Sequence, residues 1–164
     1  MTTSEPNLQQ LKATRAKLEA GDVFAILLPD GRYLYGRVIL PDLPRGKAPM
    51  PASNLIYIYD VTATEKLPPP LDSLTRDRLL IPPQFVNRLP WSRGYFETVA
   101  REPLKESDRL RQHCFWDAVR KIYRNEAGDS IPNRSEPCGD WGLGSYRLID
   151  DLVSDAMGIP RAPD

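Results

Sequence analysis

The chain has 164 residues, which suits one domain whose core can stand without disulfides or metal. Lys plus Arg and Asp plus Glu both number 22, so the formal net charge is zero. A protein that lives on phosphate backbones normally carries a basic excess, and no run here reaches the roughly 18 apolar residues of a membrane span.

The opening "MTTSEPNLQQ" has no basic stretch followed by an apolar one, so no export signal is read and a cytoplasmic protein is expected. The two cysteines, Cys114 and Cys138, are expected as free thiols in a reducing compartment. The 17 prolines point to stiffened loops between short elements.

Residues 5 to 20 predict a short amphipathic helix, with Leu8, Leu11, Arg15 and Leu18 at spacings of three and four and Gly21 as its stop. Residues 1–20 are accordingly read as an N-terminal helical extension and 21–160 as a single domain. "VFAILL", from Val23 to Leu28, is apolar on both faces, as a strand covered on both sides should be. Pro29-Asp30-Gly31 supplies a turn, and "RYLYGRVIL" returns as a second strand. Gly36 falls on the more apolar face of that strand, where a glycine marks a bend, a bulge or a close crossing. A sharply curved sheet accounts for it.

Residues 41 to 54 form a long loop with a basic tip, Arg45 and Lys47. "LIYIYDV" (55–61) reads as a third strand. Residues 79 to 100 read as a strand, a Pro-Pro break, a turn and a strand from Tyr95 to Ala100. Residues 21 to 100 thus make a mostly antiparallel β unit.

The segment 107–127 scores either as a helix or as two strands, "HCFWD" and "KIYRN", and pattern alone leaves both open. Residues 146 to 158 predict the best helix in the chain. Leu148, Ile149, Leu152, Val153, Ala156 and Met157 line its apolar face, and Asp150, Asp151 and Asp155 lie on its polar side. The fold expected is α+β and mostly β: a curved antiparallel sheet or small open barrel with an N-terminal and a C-terminal helix.

The inventory for catalysis is thin, and no catalytic, cofactor-binding or metal-binding residue is assigned. His113 adjoins Cys114, but neighbours on a strand point to opposite faces, so they form no thiolate dyad. One histidine and two separated cysteines fall short of a zinc site. "GLGS" lacks the lysine of a phosphate loop. Asp150 and Asp151 diverge by about 100° on a helix and make no acid–base pair. Charge is nonetheless segregated: Arg101 to Arg124 holds seven basic and four acidic residues, and Gly139 to Asp164 holds five acidic and two basic. Aromatic and arginine residues cluster in "RLPWSRGYF" and again around Trp141, the usual composition of protein interfaces.

"GDVFAILLPDGRYLYGRVIL", "IYIYDV", "LLIPPQFVNRLPWSRGYFETV" and "GDWGLGSYRLIDDLVSDAMGIP", in that order, resemble immunity protein 26, a family of bacterial proteins found beside polymorphic toxins. The resemblance covers most of residues 21 to 160. It departs at Leu27, where the family pattern leads one to expect proline. The resemblance implies a mostly β protein that binds and neutralises a cognate toxin without catalysis. It also tilts 107–127 toward strand-turn-strand. The contacts expected are Trp91, Arg93, Trp141, Asp150, Asp151 and Asp155, the acidic helix suiting a basic, nuclease-type toxin. A small barrel that binds nucleic acid through Arg45, Lys47 and the basic 101–124 segment is the alternative, and neutral net charge counts against it.

Overall fold

Three long strands form the centre of the computed structural model, which describes residues 5–164. They are β1 (Asp22–Leu27), β2 (Tyr33–Leu43) and β3 (Ser53–Ala63), all antiparallel. The Pro-Asp-Gly turn joins the first two: Gly31 takes a φ of 89°, and the Arg32 N–H bonds Asp30 Oδ1 at 3.0 Å. β-branched and aromatic residues dominate these strands and suit a pleated, packed surface.

Three short strands complete this sheet: β4 (Gln84–Val86), β5 (Glu97–Arg101) and β10 (Leu143–Gly144). The order is β10-β4-β3-β2-β1-β5, and its two ends do not meet. The sheet is therefore open and does not close into a barrel. Nor is it wholly antiparallel, because β10 lies parallel to β4. Bulges at Leu34/Tyr35 and Val38/Leu40 in the β2–β3 pair, and at Val23/Phe24 beside β5, bend it.

Both faces of the central strands are buried, as their near-continuous apolar runs predict. One face carries Phe24, Ile26, Leu34, Val38, Ile56 and Ile58. It is covered by two helices, α1 (Leu89–Ser92) and α2 (Tyr146–Met157), and by the N-terminal segment. The other face carries Val23, Ala25, Tyr35, Ile39, Leu55, Tyr57 and Tyr59. A second sheet of order β8-β7-β6-β9 packs there, made of β6 (Cys114–Asp117), β7 (Ile122–Arg124), β8 (Ser130–Ile131) and β9 (Cys138–Asp140). Phe115 of β6 meets Phe85 of β4, ring centroids 4.5 Å apart. Segment 107–127 is thus strand-turn-strand.

The predicted N-terminal helix is not formed. Residues 7 to 14 run extended as a strap across the first face. The backbone N–H groups of Gln9, Leu11 and Thr14 donate to the carbonyls of Leu27, Gly94 and Trp91 at 3.0, 2.7 and 3.0 Å. The Lys12 N–H donates to Glu97 Oε1 at 2.9 Å. A helix would take those donors for itself. Here the sheet edge and the α1 loop accept them, and Leu8 and Leu18 are buried as well, so tertiary partners override a weak local preference.

The C-terminal helix forms as predicted. Ser145 Oγ accepts the Leu148 N–H at 3.1 Å as the N-cap, and Gly158 ends the helix at a φ of 71°. Its buried residues are Ile149, Asp150, Val153 and Ser154, so Asp150 belongs to the inner side rather than the polar one.

Candidate functional site

The residues singled out for partner contact do not form one patch. Trp91 is fully buried, its ring edge-on to Phe24 with centroids 5.3 Å apart. Asp150 is buried too, and its two carboxylate oxygens accept the backbone N–H groups of Leu8 and Asn7 at 2.8 and 3.1 Å. Both side chains hold the strap and the core together and present nothing to a partner. Arg93 is exposed over the Tyr146 ring on the α2 side. Asp151 and Asp155 lie on the outside of α2, with Arg161 set against them at 3.9 and 2.6 Å. Trp141 lies on the opposite face, half-buried against Phe85, with the Arg124 guanidinium 5.4 Å from its ring centre. Arg45 and Lys47 are exposed on the loop that follows β2.

A different surface gathers charge. The chain between β5 and β6 turns once through Glu106–Asp108 and then runs past the loop that carries Arg76. Between them lies a concavity of about 850 Å³, lined by Arg76, Lys105, Glu106, Arg109, Leu110 and Arg111. The Arg76 guanidinium donates to the Arg109 carbonyl at 2.8 Å and ties the two walls together. Lys105, Arg109 and Arg111 are exposed, and among the described residues none of the four cations forms an ion pair. Four cations set against one carboxylate, Glu106, leave a surplus of positive charge in the hollow and focus a positive potential there.

The floor of the groove is anchored in the central sheet. Leu110 donates its N–H to the Tyr57 hydroxyl at 3.0 Å, and that hydroxyl lies 2.6 Å from His113 Nε2. Since Tyr57 accepts from Leu110, its own proton is free to go to His113. That places the imidazole proton on Nδ1, 3.3 Å from Glu126 Oε2 but without hydrogen-bond alignment. The His113 backbone N–H meets the same oxygen at 3.3 Å. Burial pushes the Tyr57 hydroxyl up to about 12, against the Leu110 bond and the Arg109 charge. Burial likewise lowers the His113 pKa, and Glu126 opposes it only in part. Tyr57 therefore stays protonated and His113 neutral near pH 7.

Arg37 lies deeper, beneath the same segment. Its Nη2 donates to the Gly21 and Glu102 carbonyls at 3.2 and 2.6 Å, and Nη1 lies 3.4 Å from Asp108 Oδ2. The 102–108 chain is thereby fastened to the sheet as well. Chemically, the arrangement offers a positively charged surface tied to the central sheet, with one apolar side chain, Leu110, in its lining. The imidazole of His113 is buried and already committed to Tyr57.

The cysteines that stand far apart in sequence are brought together in the second sheet. Cys114 and Cys138 are register partners on β6 and β9, their Sγ atoms 2.8 Å apart. Burial first, and the Cys114 thiol second, push the Cys138 thiol up to about 12. Such a thiol is a poor nucleophile near neutral pH. Among the described residues no group of three or more His, Cys, Asp or Glu is placed to hold a metal ion. Among them, too, no helix is long and apolar enough to cross a membrane.

The groove was half legible in sequence. The basic excess of residues 101–124 marks one wall, but nothing in the sequence ties Arg76 to it, because that contact crosses 33 positions.

No curated protein and no solved structure matches the chain. A family model does: immunity protein 26, over residues 19–125. The match takes in β1 to β5 of the central sheet, both walls of the groove and the β6–β7 hairpin, well over half of the chain; β10 and α2 lie beyond it. The chain therefore belongs to the immunity protein 26 family.

Proposed function

We propose that this protein is a cytosolic immunity protein that binds a cognate bacterial toxin one to one and neutralises it without catalysis. Membership of the family, with a match that spans β1 to β5 of the central sheet, is the observation that carries the reading. The geometry supports it: rigid exposed surfaces are built on a sheet buried on both faces, and the one histidine is sealed within the fold. Inhibition follows from occlusion of the toxin's active site or of an essential surface.

Arg93, Trp141, Asp151 and Asp155 keep at least part of their surface and remain contact candidates. A basic, nuclease-type toxin would meet α2, but that helix offers it little net charge. Asp150 is buried, and Arg161 stands against the other two carboxylates. The test is to express the product of the adjacent gene with and without this protein. Rescue of growth, together with a one-to-one complex in calorimetry, is the expected result. A toxic neighbour that this protein neither binds nor silences would reject the reading.

A further inference from the structure

Resting on that reading, we infer that the groove between Arg76 and Arg111 is the docking site of an acidic segment of the toxin. Three observations carry the inference. Four cations line one hollow of about 850 Å³, where Glu106 is the single carboxylate in the lining, so the surplus charge calls for an anionic occupant. None of the four is neutralised by an ion pair among the described residues, in contrast to Arg161, Arg101, Arg124 and Arg134, which each face a carboxylate. The walls are preorganised: Arg76 grips the Arg109 carbonyl, and Leu110 is tethered through Tyr57 to the central strand β3. A partner docking there pays little to order the receiving surface.

Charge chooses the class of occupant, and Leu110, the one apolar residue of the lining, bears on the choice between classes of anion. Leu110 gives a peptide somewhere to place aliphatic carbon between its carboxylates. The neutral net charge of the whole chain is a poor match for nucleic acid, whose phosphates call for a broad basic surface. An acidic protein segment needs only a local one. Charged pairs of this kind act strongly on the rate of encounter and are weakened by salt.

The test uses the full chain and a double charge reversal, Lys105→Glu with Arg111→Glu. Both side chains are exposed. Arg45→Glu with Lys47→Glu makes the same change in net charge on a loop outside the groove. Three probes are used: the adjacent gene product, a fluorescent deca-glutamate peptide, and an oligouridylate of equal charge. Circular dichroism verifies that each variant is folded.

The expected result is at least about tenfold weaker binding of the neighbour by the groove variant, and less than about threefold by the loop variant. Deca-glutamate should bind the native protein and compete with the neighbour, with affinity falling as salt rises. If the neighbour binds the groove variant as tightly as the native chain, the groove is overturned and the immunity reading stands. If the neighbour is toxic yet not bound at all, the immunity reading falls and the inference falls with it. If oligouridylate binds in the groove and deca-glutamate does not, the occupant is nucleic acid and the inference is wrong.

Discussion

Gly36 shows how a single residue is decided by what crosses it. It is the register partner of Phe24 across β1 and β2. A Cβ at Gly36 would lie 2.3 Å from Phe24 Cζ and 2.6 Å from the Tyr57 carbonyl oxygen. The Phe24 ring lies in that space, stacked on Phe96 at 4.4 Å and edge-on to Trp91, so it has nowhere to retreat. The sheet's irregularities fall at other positions, so the glycine makes room for a ring rather than a bend. Gly36→Ala should cost about 1–3 kcal/mol in overpacking, read as a lower urea midpoint with an unchanged slope. His113 supplies a second prediction at this scale. Its pKa is lowered in the fold, so as pH falls below 6.5 the unfolded chain takes up a proton that the folded one refuses. The stability His113 contributes is present above 6.5 and is lost as pH falls through its folded value. It is the only histidine, and the carboxylates of Glu97, Asp117 and Asp155 are held below their ordinary range, so they titrate later. Denaturant titrations from pH 7.5 to 5.5 should show a decline in the native protein that His113→Gln flattens. An equal decline in the variant would assign it to other groups.

Among the elements, the strap and α2 depend on one another. Asp150 takes two backbone N–H groups from the strap, and Asn7 Nδ2 returns a bond to Ser154 Oγ at 2.9 Å. Asp150→Ala leaves those donors facing a buried space and should cost roughly 1.5–3 kcal/mol. Its more telling sign is local: amide exchange at residues 7–14 should accelerate while that of β2 and β3 holds. If exchange rises evenly across the sheet, the strap is not an independent layer. The strap also marks the limit of pattern reading. Leucines at helical spacing are equally what an extended chain needs when Leu8 and Leu18 drop into separate hollows of the same core. Local sequence had no means to register the acceptors waiting at Leu27, Trp91, Gly94 and Asp150.

Across the whole molecule, the two sheets share one core. Phe115 of the second sheet and Trp141, which directly follows β9, both pack on Phe85 of the first sheet, at 4.5 and 5.3 Å. Neither sheet can open without exposing the other's aromatic face. Far-UV circular dichroism and tryptophan fluorescence should therefore report one coincident unfolding transition. Phe115→Ala should lower it for both probes together, by about 3–5 kcal/mol. Two separated transitions would show that the second sheet unfolds alone.

The alternating and continuous apolar runs were enough to determine β1, β2, β3 and α2, since burial periodicity is a property of contiguous residues. The Pro-Asp-Gly turn was legible too, because turn chemistry is set by contiguous residues. The resemblance to the family was carried by the order of those segments, and the family model matches those that fall within residues 19–125. Only the tertiary structure decided the rest, because each remaining feature joins residues distant in sequence. It turned the first segment into a strap and drew Asp150 and Trp91 inward. It set Cys114 beside Cys138, and it closed Arg76 onto the 105–111 segment as a charged groove. Packing geometry and long-range hydrogen bonds determine such features, and neither leaves a periodic trace in the sequence.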